Sequence, residues 1–145
     1  MSAARPGERV PNPVTVLVLG WLVPGAGHWV LGRRKRAALF CAILTLTFLV
    51  GFAMAEYRNV SYSRHEYYFV GQSFCGVLTI ATATVSESLP PLGRPIPGED
   101  RGMLYTCVAS LLNALLCLDA YERAVKARAG DAQGGSGARG PEGKK

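Results

Sequence analysis

The chain has 145 residues, of which 49% are hydrophobic, and a formal net charge of +6. Its charged residues concentrate at the ends and in the connections, while long stretches between them carry none. This distribution is typical of a small polytopic membrane protein and argues against a soluble globular domain. The excess positive charge therefore indicates anionic lipid head groups as the partner, and not nucleic acid.

The first apolar run extends from Pro13 to Leu31 and follows a polar segment, residues 1–12, that we predict to be a disordered lead. The run is long enough to cross a hydrocarbon core of about 30 Å as a helix. Pro24 and Gly25 interrupt it, so we expect the helix to break there. Such a break is tolerated in a membrane only where protein covers the freed backbone groups.

A cleaved signal peptide is the alternative interpretation of this run. Arg5 and Arg9 precede the apolar core, and small residues follow it at positions 25–27. A good cleavage site is missing, however, and a second span begins almost at once, so we favour a retained helix.

Four consecutive basic residues connect the first apolar run to the second. They are Arg33, Arg34, Lys35 and Arg36. In a short connection they act as a topology signal that places it in the cytoplasm, and they can also bind phospholipid head groups. With four full spans both termini would then lie outside. If the first run is re-entrant instead, the N-terminus returns to the cytoplasm but the C-terminus still does not, and basic residues near the C-terminus oppose both orientations.

Three further apolar runs follow. Ala37 to Ala55 is uncharged and long enough to span, whereas Tyr68 to Val85 is weaker because it contains polar residues, among them Gln72. A proline-rich segment, residues 86–101, is predicted to be a loop. The last run is Gly102 to Leu118, and we expect its helix to continue into water.

The predicted fold is therefore an all-α, polytopic membrane protein with about four hydrophobic helices, the first broken at a Pro-Gly turn. The helical membrane domain covers residues 13–128. Residues 129–145 are Gly-rich and basic and are predicted to be a disordered tail. The predicted location is the cell inner (cytoplasmic) membrane, crossed several times.

Polar residues inside the last run share one helix face. Thr106, Ser110, Asn113 and Cys117 recur at spacings of three and four residues, which places them on one side of a helix. Because an asparagine that faces lipid is costly, we expect Ser110 and Asn113 to form interhelical hydrogen bonds. The alternative is a pathway for a solute or ion, lined by the polar faces of the third and fourth helices.

His28 is the titratable residue within the first run, and we predict a structural role for it. Pro24 obstructs the carbonyl of Gly20, four residues earlier, so that this carbonyl needs a new donor. The ring N–H of His28 is the expected donor. A metal site is the alternative, but His28 has no partner at ligand spacing. The residues of this predicted turn are Pro24, Gly25, Gly27, His28 and Gly32.

The sequence contains no constellation for catalysis. The four cysteines all lie in apolar runs without a C-x-x-C pair, which indicates buried thiols and neither a disulfide framework nor a zinc site. Possible serine and cysteine nucleophiles lack a nearby base, and phosphate-binding glycine motifs are missing. We therefore predict no catalytic residue, no cofactor, no metal and no enzymatic activity.

The stretch Trp21–Ala37, with the sequence WLVPGAGHWVLGRRKRA, resembles the hairpin signature of the TM-two type of small membrane domain. A closer similarity is to a related bacterial family, a small membrane-protein domain of unknown function. The matching positions are Trp21-Leu22, Pro24-Gly25 to His28, Leu31-Gly32-Arg33, Leu111-Leu112-Asn113 and Asp119-Ala120-Tyr121. The resemblance implies a bacterial inner-membrane protein without an assigned activity.

Two functional hypotheses follow. The first is a non-enzymatic structural or interaction component of the membrane, with the lipid bilayer and itself or another membrane protein as partners. The second is a small transport or channel subunit that uses the polar faces described above.

Overall fold

The computed structural model describes residues 11–63, 66–90 and 92–137, and every regular element within them is helical. The prediction of an all-α fold is thereby confirmed for this part of the chain. The elements are α1 (Pro13–Leu22), α2 (Ala26–Val30), α3 (Arg34–Met54), α4 (Glu66–Gln72), α5 (Val77–Ser88) and α6 (Glu99–Gly137), with a short 3-10 helix, Ser73–Cys75, between α4 and α5.

Two helices are long and apolar enough to cross a membrane. They are α3, with 21 residues, and the segment Glu99–Gln133 of α6, with 35 residues. The first and third predicted runs are instead divided into shorter helices. With 10 residues, α1 extends over about 15 Å, which is half of a hydrocarbon core.

The first apolar run folds back on itself. Asn12 begins α1 by accepting the Val14 backbone N–H at 3.1 Å through its side chain. The helix ends at Leu22, and α2 then packs against α1, since a Cβ built on Gly27 would lie 3.0 Å from the carbonyl oxygen of Val16. We call residues 13–30 the first hairpin.

The third run also folds back, at Gly76, which adopts a φ of 44°. Both ends of this segment lie beside the connection that follows α3. Ser86, near the end of α5, donates to the Tyr57 carbonyl at 2.8 Å, and the ring of Phe69 on α4 contacts the ring of Tyr62 at 6.3 Å. We call residues 66–88 the second hairpin.

The two long helices are antiparallel. A Cβ on Gly51, near the end of α3, would lie 2.8 Å from the carbonyl oxygen of Gly102, near the start of α6. Further along, α6 passes the first hairpin, where Ala120 packs against Gly27. The start of α1, the start of α3 and the end of α6 therefore share one end of the molecule.

The C-terminal helix is longer than predicted. Residues 129–137 are helical, although the sequence predicted a disordered tail from residue 129. Helix-forming residues, among them Ala129, Ala132 and Gln133, continue the helix past Gly130. Residues 1–10, most of the predicted disordered lead, and residues 138–145 lie outside the described part of the chain.

Candidate functional site

The tips of the two hairpins meet beside the middle of α6. The indole Nε1–H of Trp21 donates to the Ser73 carbonyl at 3.1 Å. The side-chain amide of Asn113 donates to the carbonyl of Gly20, in the first hairpin, at 3.1 Å and to that of Phe74, in the second, at 2.8 Å. We call this meeting point the hairpin junction, formed by residues 20–22, residues 73–76 and Asn113.

The junction exists because both hairpins break their helices and leave backbone groups without helical partners. Gly76 brings the chains into close contact, since a Cβ there would lie 2.5 Å from the Trp21 carbonyl oxygen. Asn113 then supplies the N–H groups that the broken backbone lacks. It is fully buried, so its hydrogen bonds are shielded from solvent.

The donor to the Gly20 carbonyl is therefore Asn113. The prediction that His28 donates to this carbonyl was wrong. The reason is the direction of α2, which carries His28 back along α1 and away from the junction. His28 instead donates through Nε2 to Asp119 Oδ2 at 3.0 Å; an ionised carboxylate can only accept, so the imidazole carries this proton.

His28, Asp119 and Arg123 form a polar cluster between α2 and α6. Arg123 Nε donates to the same Asp119 oxygen at 2.7 Å, since the two residues are four positions apart on one helix. His28 is only 2% exposed, and its ring meets that of Phe40 edge-on at 5.4 Å. The cluster thus joins the first hairpin to α6 through one buried and two half-buried side chains.

A second group of buried polar side chains lies between the junction and the end of α3. Gln72 Nε2 donates to Thr106 Oγ1 at 2.7 Å, and Asn59 Nδ2 donates to the same oxygen at 3.3 Å. Ser110 Oγ donates to the Gln72 carbonyl at 2.8 Å. The amide oxygens of Asn59, Gln72 and Asn113 are buried and accept no hydrogen bond from any described residue.

The predicted polar residues Ser110 and Asn113 both lie between helices, and their partners are backbone carbonyls. Gln72 and Asn59 also donate hydrogen bonds within this network, although no role was predicted for either of them. The available signal was the side-chain amide of Gln72 within a run of spanning length. For Asn59, which follows α3 in an irregular connection, no comparable signal exists.

The glycines of the predicted turn are favoured for different reasons, either a positive φ or the close approach of a neighbouring element. Gly25 adopts a φ of 82°, and a Cβ there would lie 2.7 Å from the Ala37 carbonyl oxygen. Gly27 lets α2 approach α6, where a Cβ would lie 3.0 Å from that of Ala120. Gly32 adopts a φ of 74° in open space, so only its backbone conformation favours glycine. Pro24 is buried beside Gly25.

The remaining predicted residues, Arg33 to Arg36, are exposed at the start of α3. Within the described residues no group of three or more His, Cys, Asp or Glu side chains could hold a metal ion. The four cysteines are free thiols. The polar side chains of the junction, those of Trp21, Ser73 and Asn113, donate hydrogen bonds to backbone carbonyls.

The chain was compared with known families, curated proteins and solved structures. A family described as "Family of unknown function (DUF6677)" matches residues 15–133. The match runs from α1 into the last third of α6 and includes both hairpins and the junction. No curated protein and no solved structure matches the chain.

Proposed function

Because the chain belongs to the DUF6677 family, whose function is unknown, we propose a function from the structure: a non-enzymatic component of the cell inner (cytoplasmic) membrane that packs with itself or another membrane protein. In this proposal α3 and α6 cross the bilayer, while the two hairpins enter it from opposite faces and meet inside. The bacterial origin and the relation to the TM-two type hairpin domain, which the sequence resemblance implies, stay predictions.

The distribution of side chains on α6 carries the proposal. Its buried face holds small and polar residues, namely Thr106, Ala109, Ser110, Asn113 and Ala120. Its outer face holds large aliphatic residues, such as Leu104 and Leu115, each 62% exposed. In water this arrangement would expose the large aliphatic side chains and bury the polar ones, which is the reverse of a soluble protein. In lipid, acyl chains solvate the aliphatic outer face, and the polar face is kept away from them by the other helices.

Large aliphatic side chains are also exposed on α3, where Leu46 is 65% and Leu39 57% exposed. Apolar area on this scale exceeds what a monomeric soluble protein exposes. A bilayer would cover this apolar area without any partner chain. A second membrane protein that packs against α3 or α6 would cover part of the same area.

The position of Asn113 along α6 supports a junction at the middle of the bilayer. Gly102 lies against the end of α3, and Ala124 is buried with Val16 near the start of α1. At a rise of 1.5 Å per residue, each lies about 16 Å from Asn113 along α6. These distances match the two halves of a hydrocarbon core of about 30 Å. Each hairpin therefore penetrates one half of the membrane.

This arrangement also supports one orientation, where the four-span prediction left two groups of basic residues in conflict. The start of α1, Arg33–Arg36 and the basic residues at the end of α6 share one end of the molecule, which the positive-inside rule assigns to the cytoplasm. These last residues are Arg123, Lys126 and Arg128. Four acidic residues lie at the opposite end, namely Glu56, Glu87, Glu99 and Asp100. Both ends of the described chain thus face the cytoplasm.

Alkaline carbonate extraction of membranes tests the proposed location. The protein is expected to stay in the membrane pellet and to enter solution only with detergent. Mild detergent extraction followed by mass spectrometry then shows whether it co-purifies with a second copy or another membrane protein. Release by carbonate alone would contradict the proposal.

A transport or channel subunit is the second candidate, favoured by the buried amide oxygens of Asn59, Gln72 and Asn113. Helices that break near the midplane and free backbone carbonyls are also found at the ion sites of transporters. In proteoliposomes, this candidate predicts cation flux above that of empty vesicles, and a loss of the flux in Gln72→Leu. Flux equal to that of empty vesicles removes this candidate and leaves the first.

A further inference from the structure

We propose that the groove between the first hairpin and α3 binds one acyl chain of an anionic phospholipid, with its phosphate held by the basic residues at the start of α3. This proposal rests on the membrane location proposed above. The proposal adds to that location a specific lipid site with a defined head-group charge.

The groove has a volume of about 500 Å³, which lies in the range of ligand pockets. One wall is the first half of α3, with Ala37, Ala38, Cys41 and Ala42. The other wall is the break of the first hairpin, residues 23–26, together with Trp29. The two walls touch where Gly25 meets the Ala37 carbonyl oxygen, which closes the base of the groove. Its outer side is open, and the lining atoms are almost all apolar.

The groove runs along the direction that an acyl chain takes in a bilayer. Its outer end lies at Ala37 and Trp29, and Trp29 is 55% exposed, as tryptophans at the membrane interface commonly are. Its inner end lies at Ala42 and Val23, close to the hairpin junction and hence to the midplane. The groove therefore connects the head-group region with the bilayer interior.

The mouth of the groove lies at the basic start of α3, where Arg34 shares a helix face with Ala38 and Cys41. Arg34, Lys35 and Arg36 form the first turn of α3, immediately before Ala37, and all three are exposed. A helix N-terminus carries a partial positive charge and favours anions, yet this first turn contains no acidic residue. Cationic side chains at this end raise the free energy of the helix unless an anion neutralises them. A lipid phosphate supplies that anion at the depth of the interface.

The two ends of the groove thus fit the two parts of one molecule. The apolar groove fits an acyl chain, and the basic turn fits a phosphate. A zwitterionic phospholipid also carries a phosphate, but its own cationic group offsets that charge, so the basic turn is expected to prefer a lipid with a net negative head group. This gives the proposal a testable head-group preference.

The test uses the full chain reconstituted in vesicles of equal phosphatidylglycerol and phosphatidylcholine, extracted mildly and analysed by native mass spectrometry. The parent is expected to retain phosphatidylglycerol about tenfold more than phosphatidylcholine. Ala38→Phe fills the groove and is expected to lose the retained lipid. Arg34→Gln combined with Arg36→Gln is expected to retain both lipids equally.

Two controls separate this site from general surface effects. Leu46→Phe adds aromatic bulk on the lipid face of α3, outside the groove, and Lys126→Gln with Arg128→Gln removes equal charge from the same end of the molecule. Both are expected to retain lipid like the parent. Retention of equal amounts of the two lipids by the parent, or parent-like preference in the Arg34 and Arg36 double variant, would overturn the proposal.

The charge variant does not change the packed interior, so the test remains decisive if Ala38→Phe fails to fold. Failure of the lipid site is also distinguishable from failure of the membrane location. A protein that resists carbonate extraction but shows no head-group preference contradicts this inference alone.

Discussion

Single polar side chains replace the hydrogen bonds that the broken helices of this protein have lost. Asn113 joins the carbonyl of Gly20 to that of Phe74, and so connects two hairpins that have no covalent link near this point. The spacing of the polar residues on α6 was enough to predict that Asn113 lies between helices. Its partners were not predictable, because Gly20 is 93 positions away in the chain.

Asn113→Leu is expected to lower the stability of the folded protein by about 1–2 kcal/mol, because it removes both donors and leaves two carbonyls unpaired in an apolar environment. The measurement is thermal unfolding in detergent. Leu115→Ala, on the exposed outer face of the same helix, is the control and is expected to melt near the parent temperature. An Asn113→Leu variant that melts at or above the parent temperature contradicts the role assigned to the junction.

His28 and Asp119 are expected to be energetically coupled, because their hydrogen bond joins α2 to α6. A double-mutant cycle with His28→Ala and Asp119→Ala should give a coupling free energy of about 0.5 kcal/mol in unfolding measurements, since Asp119 is half-buried. His28→Gln keeps a side-chain donor and is expected to recover part of the loss. The same cycle on the exposed pair Glu122 and Lys126 is the control, with weaker coupling expected.

The outcome for His28→Ala also separates structure from function. If this variant folds like the parent and yet abolishes a cellular phenotype, His28 is a functional residue and its structural role is refuted.

At the scale of elements, the break in the first hairpin can be predicted from the sequence, whereas the break in the second cannot. Pro24 and Gly25 mark the first break, because proline removes a donor and obstructs a carbonyl in the helix before it. The second break lies at Gly76, within a run that contains no proline. A glycine inside an apolar run is common in membrane helices, so the run was predicted as one helix. Only the contact with Trp21 and Leu22 shows why the chain turns there.

Gly76→Ala is expected to destabilise the protein strongly, because the added Cβ would meet the Trp21 carbonyl oxygen at 2.5 Å and the backbone has a positive φ. The expected readout is a lower folded yield in membranes and a lower melting temperature. Gly130→Ala is the matched control: nothing lies within 4 Å of its Cβ position, and alanine favours a helix over glycine by about 1 kcal/mol. Equal melting of the two variants would show that the hairpin tips are not in close contact.

At the scale of the whole molecule, hydropathy alone could not distinguish a helix that crosses the membrane from a hairpin that enters and returns. Both give an apolar run of similar length, and the count of four runs therefore suggested four spans. The contacts between Gly27 and Val16, and between Ser86 and Tyr57, show that two of the runs return to the end at which they began. Arg33–Arg36 and the basic residues near the end of α6, which conflicted under four spans, then lie at the same end of the molecule.

The proposed topology is tested most directly by determining on which side of the membrane three positions lie. One reporter is active only in the cytoplasm, and a second is active only outside. The reporters are fused before Met1, after Lys145 and at Gly93, where no described atom lies within 4 Å of the Cβ position. We expect the cytoplasmic reporter to be active at both termini and the external reporter at Gly93. Termini on opposite sides, or Gly93 on the same side as Lys145, would contradict two spanning helices with two opposed hairpins.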